Sequence, residues 1–492
     1  MFRLKAWPLM VLLGACVALV GCGNRKPQDA KAKPTGQASD KTVASATISL
    51  EPPPALVSGG SASTEVAVSG VKITSDKGAA LVQNAGESTY KVVDKDSLLT
   101  VGQRLLSPNG ATVVANGLEV VLRGDLSGKS PLPVLESALV LRKPSAPGID
   151  LEFEFERGRV DLANTKATGD AKVRIHAFGA FADLELRGPG SRCAAEVYGR
   201  FLPGTRFDAN ATVPARPSMR MVLVVIKGEV GYSDHDSFLR LSQPPGRAML
   251  NFDGDAGAEL SPSHLDKVPA WVLEDPKDPE VAKHLAMVKD LEGKFAATGD
   301  ISAVIDDFAK SDDPSKRLAA VNMAAAVDDL PRLIMIISSS PHPDVIDEGI
   351  VALRHWLGRA QGQDQKFHDM LVKGLPDLAK ISGKPELGKP ATSIQATSFL
   401  ELLYGFDDEH RDKPSTYAYL LKLLRSDRPA LRGLSAWYLS HQVPEGVRFG
   451  FNATAAADVR EIAVKQWEQR LSELKKLPEV PVKKPLPVKS KP

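Results

Sequence analysis

Residues 112–122 read Thr112-Val113-Val114-Ala115-Asn116-Gly117-Leu118-Glu119-Val120-Val121-Leu122. Two runs rich in β-branched residues flank Asn-Gly, the dipeptide that most readily takes the left-handed backbone of a two-residue hairpin turn. The stretch therefore predicts two antiparallel strands joined at Asn116-Gly117. Further along, Leu151-Glu152-Phe153-Glu154-Phe155-Glu156 alternates apolar and acidic residues as a half-exposed strand must. Other strands are expected over residues 171–175, 182–186, 194–198, 221–226 and 238–241. Short strands punctuated by glycines, with no helical stretch among them, predict an all-β region over residues 64–254.

From residue 278 the period changes from 2 to about 3.6. Val281, Leu285, Val288 and Leu291 share one helical face. Amphipathic runs follow over residues 301–308, 317–327, 345–357, 367–378, 394–403, 417–424, 431–439 and 459–474. Several start after a proline corner: Asp313-Pro314, His342-Pro343 and Arg428-Pro429. Proline is tolerated in a first helical turn, where its missing N–H would be unpaired anyway. Ala320, Ala352 and Ala436 recur a few residues later, where small side chains let helices approach. This part resembles degenerate HEAT-like helical repeats, an all-α region over residues 278–476. Residues 255–277, crowded with prolines, are expected to be a linker. Trp356, Trp437 and Trp467 fall on apolar helical faces and are expected in the core.

The ends of the chain have another character. Arg3 and Lys5 precede an apolar run over residues 7–20, too short for a bilayer span of about 20 residues but suited to a secretory signal. Leu19-Val20-Gly21-Cys22 resembles the bacterial lipobox, which implies cleavage between Gly21 and Cys22 and acylation of the Cys22 thiol. Residues 1–21 then form a lipoprotein signal peptide, and residues 22–63, rich in Lys, Pro, Ala and Ser, a flexible tether. Gly23 is not the aspartate often linked to inner-membrane retention, which tilts the expectation toward the outer membrane. A Pro/Lys tail over residues 477–492 is expected to be extended and solvated.

The 492 residues carry a net charge of +2 and 6% aromatics, which argues against a nucleic-acid partner. Of three cysteines, Cys16 and Cys22 lie in or at the end of the leader, so Cys193 is alone and no internal disulfide is expected. Beside Ala194 and Ala195 it reads as a small buried hydrophobe.

The β region resembles a FecR-type domain, the extracytoplasmic module of bacterial cell-surface signalling regulators. The segments that carry the resemblance are Leu99-Thr100-Val101-Gly102-Gln103-Arg104-Leu105, the hairpin at Asn116-Gly117, and Glu156-Arg157-Gly158-Arg159-Val160-Asp161-Leu162. After them come Ile226-Lys227-Gly228-Glu229-Val230-Gly231-Tyr232 and Leu241-Ser242-Gln243-Pro244-Pro245-Gly246-Arg247-Ala248. Their glycines are expected at tight corners with positive φ between strands. Residues 203–218 depart from the pattern as an inserted loop. The resemblance implies a sensing or docking role. It identifies no binding residues, because the pattern marks turns.

Catalytic motifs fail on spacing. Gly124-Asp125-Leu126-Ser127-Gly128-Lys129-Ser130 has too few residues between its glycines for a phosphate loop. Asn251, Asp253, Asp255, Gly257 and Glu259 alternate like calcium ligands, yet Ala256 stands where the loop wants glycine and Pro262 where it wants glutamate. Ser233-Asp234-His235-Asp236-Ser237 is contiguous, unlike a hydrolase triad, and reads as a polar turn. His264, His342 and His355 show no metal-ligand spacing. No catalytic residue, cofactor or metal is therefore expected. The function expected is that of a non-enzymatic, lipid-anchored protein on the extracytoplasmic side of a membrane. It would work by protein contacts with an envelope partner, in signalling or scaffolding. The alternative is a carbohydrate-active enzyme on a repetitive β fold.

Overall fold

The computed structural model describes residues 67–124, 132, 135–234, 237–254, 260–383 and 385–478. The leader, Gly21, Cys22, the tether and the tail from residue 479 lie outside the described residues. The described chain is a large mixed sheet followed by helices.

Eight strands come first: β1 (Ala67–Ile73), β2 (Leu81–Gln83), β3 (Lys91–Val92), β4 (Leu98–Thr100), β5 (Arg104–Ser107), β6 (Thr112–Ala115), β7 (Leu118–Arg123) and β8 (Ser137–Arg142). Three of the remainder are long: β9 (Leu151–Asn164), β11 (Ala180–Arg200) and β12 (Ser218–Ser233). Around them lie β10 (Ala171–Ala177), β13 (Phe238–Ser242), β14 (Gly246–Asp253) and β15 (Ser261–Leu265). The Asn116-Gly117 turn forms as read: both residues have positive φ, 48° and 75°, and Ala115 pairs with Leu118.

The three long strands each serve two limbs of the sheet. In the first limb the order is β3-β2-β5-β8, the first half of β9, then β10, the first half of β11, the second half of β12, and β13. In the second it is β4-β1-β6-β7, the second half of β9, the second half of β11, the first half of β12, then β14 and β15. Each long strand changes limb at a glycine with positive φ: Gly158 in β9, Gly188 and Gly190 in β11, and Gly228 in β12. Gly158 and Gly228 are expected from the sequence at corners between strands; they lie inside them. The register of β11 on β12 shifts between Arg187 and Arg192, at the same bend. A Cβ on Gly158 would overlap Ser137 Oγ and the Glu136 carbonyl, and one on Gly228 would overlap Ser191 Oγ. Only glycine supplies both the left-handed backbone and the room.

Between the limbs lies one apolar core, with Leu105, Leu139, Phe153 and Phe155 from the first and Val113, Val120, Leu162 and Leu250 from the second. Cys193 is buried in it, and burial pushes its thiol well above the usual range.

The helices are α1 (Ala270–Leu273), α2 (Pro279–Thr298), α3 (Ile301–Ala309), α4 (Pro314–Ala326), α5 (Leu330–Ser339), α6 (Pro343–Gly358) and α7 (Gln363–Lys373). Then come α8 (Pro376–Ser382), α9 (Ser393–Tyr404), α10 (Asp408–Arg411), α11 (Pro414–Leu424), α12 (Pro429–Gln442) and α13 (Ala457–Glu473). The proline corners open α4, α6 and α12 as the spacing implied. The run over residues 367–378 is two helices, broken at Gly374 with φ 89°. Inside the stretch read as a linker, β15 pairs with β14, and the Trp271 carbonyl of α1 accepts from Arg159 Nη1 at 2.9 Å. Among the described residues no helix is long and apolar enough to cross a membrane.

Sheet and helices share a core. Leu81, Leu106, Ala138 and Phe201 of the β part pack with helical residues such as Phe295, Leu333, Trp356 and Tyr404. Gly199 of β11 and Gly358 of α6 lie so close that a Cβ on either would overlap the other's carbonyl oxygen.

Candidate functional site

The two limbs part where β10 enters. It runs parallel to β9 and antiparallel to β11, so it separates in the first limb two strands that pair directly in the second. The space between the limbs at this end holds an apolar cleft of about 550 Å³. Ala177, Ala180, Ala182 and Leu184 of the β10–β11 hairpin form one wall. Ala195, Val197, Met219, Met221 and Leu223 of β11 and β12 face them, and Phe155 and Phe252 close the sides. Protein cores seldom leave voids much larger than a water molecule, and this volume falls in the range of about 300–1,000 Å³ typical of ligand pockets.

Polar groups gather at one edge. The Tyr232 hydroxyl donates to Asp234 Oδ2 at 3.0 Å, and the Ser237 N–H donates to Asp234 Oδ1 at 2.7 Å. Burial and the Asp234 charge both push the Tyr232 hydroxyl upward, so it stays a neutral donor. The polar turn read at residues 233–237 is thus the β12–β13 connection, with the Asp234 N–H also bonded to the Ser237 carbonyl at 3.1 Å. His235 and Asp236 lie outside the described residues. So do residues 125–130 of the phosphate-loop look-alike and Asp255, Gly257 and Glu259 of the calcium-like run. Asp253 of that run pairs with Arg220.

Sequence reasoning missed the buried charges. Glu136 is 1% exposed and accepts from Arg157 Nε at 2.5 Å and from Arg359 Nη2 at 2.6 Å. Burial alone would raise its carboxyl, but Arg359, Arg157 and His355 together bring it down to about 2. His355 Nδ1 lies 4.0 Å from Glu136 Oε2 and its ring stacks on Tyr198 with centroids 5.5 Å apart. Burial lowers the imidazole to about 3, against the pull of Glu136. A second cluster surrounds Arg159, with Glu274 at 2.9 Å and Asp161 at 3.7 Å. The signal in the sequence was Arg157 and Arg159 flanking Gly158, where the alternation of apolar and acidic residues in the strand breaks off. Both clusters bind sheet to helix and lie beneath the surface.

Two polar sites on the helices were also unread. Ser393 Oγ lies 3.1 Å from His368 Nε2, and His368 Nδ1 lies 3.3 Å from Asp369 Oδ1. The Asp369 side chain is 65% exposed and also accepts from Gln365, so it lacks the buried rigidity with which a triad acid orients its histidine. A cleft of about 320 Å³ lies between the inserted loop and α9–α11, where Arg206 pairs with Glu401 at 3.2 Å and His410 with Asp407 at 2.7 Å. His264 pairs with exposed Asp266 at 3.6 Å, and His342 is the N-cap residue of α6. Among the described residues no group of three or more His, Cys, Asp or Glu side chains is placed to hold a metal ion.

Comparison of the chain with family models, with curated proteins and with solved structures found no match in any of the three.

Proposed function

We propose that the chain is a lipid-anchored, extracytoplasmic binding protein without catalytic activity. In this reading the FecR-like β region senses an apolar ligand, and the HEAT-like helices contact an envelope protein partner in signalling or scaffolding. The observation that carries it is the cleft between the limbs, walled by alanine, methionine and phenylalanine side chains. Such a wall favours ligands by excluding water, and among the described residues it offers no nucleophile or acid–base pair at its centre. Attachment to the membrane rests on Leu19-Val20-Gly21-Cys22 and the apolar run before it. A carbohydrate-active enzyme has less support, since Asp161 and Glu274 are turned toward Arg159 beneath the surface.

The test is binding of N-phenyl-1-naphthylamine, which fluoresces when it leaves water, to the full chain and to Ala182→Trp. Ala182 is half-exposed on the cleft wall, so the indole fills the space without replacing a core residue. Saturable fluorescence that is lost in the variant, at unchanged melting temperature, is the expected result. Equal fluorescence in both proteins would refute the cleft as a ligand site.

A further inference from the structure

We infer that the cleft takes a single fatty-acyl chain attached to an uncharged or cationic head group, as in a monoacylglycerol or other esterified lipid. The inference rests on the binding-protein reading above and names its ligand class. Three features of the wall favour a flexible chain. Four alanines, Ala177, Ala180, Ala182 and Ala195, leave depth where larger residues would close the gap between the limbs. Met219 and Met221 face them, and unbranched thioethers adjust to a mobile hydrocarbon more readily than branched side chains do. The polar atoms gather at one edge, so a ligand with an apolar body and one polar end matches the distribution.

The edge also selects the head. Among the described residues lining the cleft, Asp234 is the acidic group at that edge, fixed by the Tyr232 hydroxyl and the Ser237 N–H. A free fatty acid would bring a second carboxylate beside it, whereas an ester brings a neutral acceptor and an acyl ester of an amino alcohol a cation. Like charges brought together in a poorly solvated edge are disfavoured.

The experiment displaces the naphthylamine probe from the full chain carrying Cys22→Ala. The competitors are saturated monoacylglycerols of rising chain length, each below its micelle concentration. Within the cleft each added methylene should tighten binding about fourfold, equivalent to about 0.8 kcal/mol, until the chain fills the space and the gain stops. Fatty acids of matched length should bind about tenfold or more weakly than the esters, and Asp234→Asn should narrow that gap. Ala182→Trp should shorten the chain length at which the gain stops; Met219→Trp, on the facing strand, repeats the test should the first variant not fold. A gain that continues without a limit, or that both variants leave unchanged, would show adsorption elsewhere and overturn the inference. A probe that binds and is displaced equally by compact ring compounds would overturn the acyl assignment while leaving the binding-protein reading intact. No saturable probe binding at all would overturn both.

Discussion

Arg359, at the end of α6, donates from Nη2 to Glu136 Oε1 over 2.6 Å although 223 residues separate them. Arg157 of β9 reaches the same carboxylate and also donates to the Ala326 carbonyl at the end of α4, at 3.2 Å. A single carboxylate is therefore shared by guanidiniums from the sheet and from the helices, and Glu156, 3.2 Å from Arg157, and Asp328, 3.2 Å from Arg359, supply the remaining negative charge.

Removing that carboxylate leaves buried positive charge uncompensated. Glu136→Gln, nearly equal in volume, should lower the unfolding free energy by about 3–5 kcal/mol. Chemical denaturation measures it. A loss under about 1 kcal/mol would mean that water reaches the guanidiniums.

The same cluster makes the fold acid-sensitive. Buried His355 has its pKa lowered from 6.5 to about 3, so between those values the unfolded chain binds a proton that the folded chain refuses. Its contribution to stability is therefore complete above pH 6.5 and is lost as the pH falls toward 3. Glu136, lowered from 4.5 to about 2, adds a loss of the same sign in its own window. Glu292 of α2 acts oppositely: burial raises it from 4.5 to about 7, so its contribution is present in acid and lost as the pH rises through that range. Comparing the native chain with His355→Phe, which keeps a ring against Tyr198, isolates the histidine. The variant should lose less stability than the native chain between pH 6.5 and 4.5. Parallel curves would refute the assignment.

Gly158 should be irreplaceable. Gly158→Ala places a Cβ on a left-handed residue, φ 93°, and against Ser137 Oγ and the Glu136 carbonyl. Gly148, φ 83°, has open space at the same position and serves as the control. Left-handed strain is of order 1–3 kcal/mol for both, and the collision adds to it at Gly158 alone. Equal losses in the two variants would show that the strand bend relaxes.

The tryptophans of the last helices differ. Trp467 is 1% exposed, stands edge-on to Phe449 with centroids 5.1 Å apart, and lies where any Cβ on Gly446 would be. Trp437 is half-buried, with Nε1 donating to Asp347 at 2.6 Å and Arg354 5.1 Å above its ring. Trp467→Ala should cost about 3–5 kcal/mol. Trp437→Ala should cost less, because part of its surface meets solvent already. Thermal denaturation orders the pair, and the reverse order would overturn this reading of the packing.

Cys22→Ala should release the protein from the membrane fraction, since no helix among the described residues offers an alternative span. Cell fractionation decides it. A variant retained on the membrane with its leader removed would refute lipid anchoring.

Much of the architecture was legible in one dimension, and the failures share a cause. Strands read separately at residues 182–186 and 194–198 are halves of β11. A glycine with positive φ looks alike in sequence whether it reverses the chain or bends a continuing strand, as Gly158 and Gly228 do. Helix α5 gives no polar face to read, because Leu333, Ile334 and Ile337 share it with Met335 and Ile336 and none of its residues is exposed. Helix α13 carries no local signal of its packing partner. It packs chiefly against α11 and the short 3-10 segment Pro444–Phe449.

By itself the sequence determined the change of period from 2 to about 3.6, the hairpin at Asn116-Gly117, and the proline-led starts of α4, α6 and α12. Each of these depends on residues within a few positions of one another, whose backbone preferences act before any tertiary contact forms. The division of the sheet into two limbs, the charge shared between Glu136 and Arg359, and the cleft beside Ala182 and Met221 were decided only in three dimensions. They depend on which distant segments meet. An arginine at a buried strand position, or an alanine where a valine would serve, shows its purpose only once the opposite wall is in place.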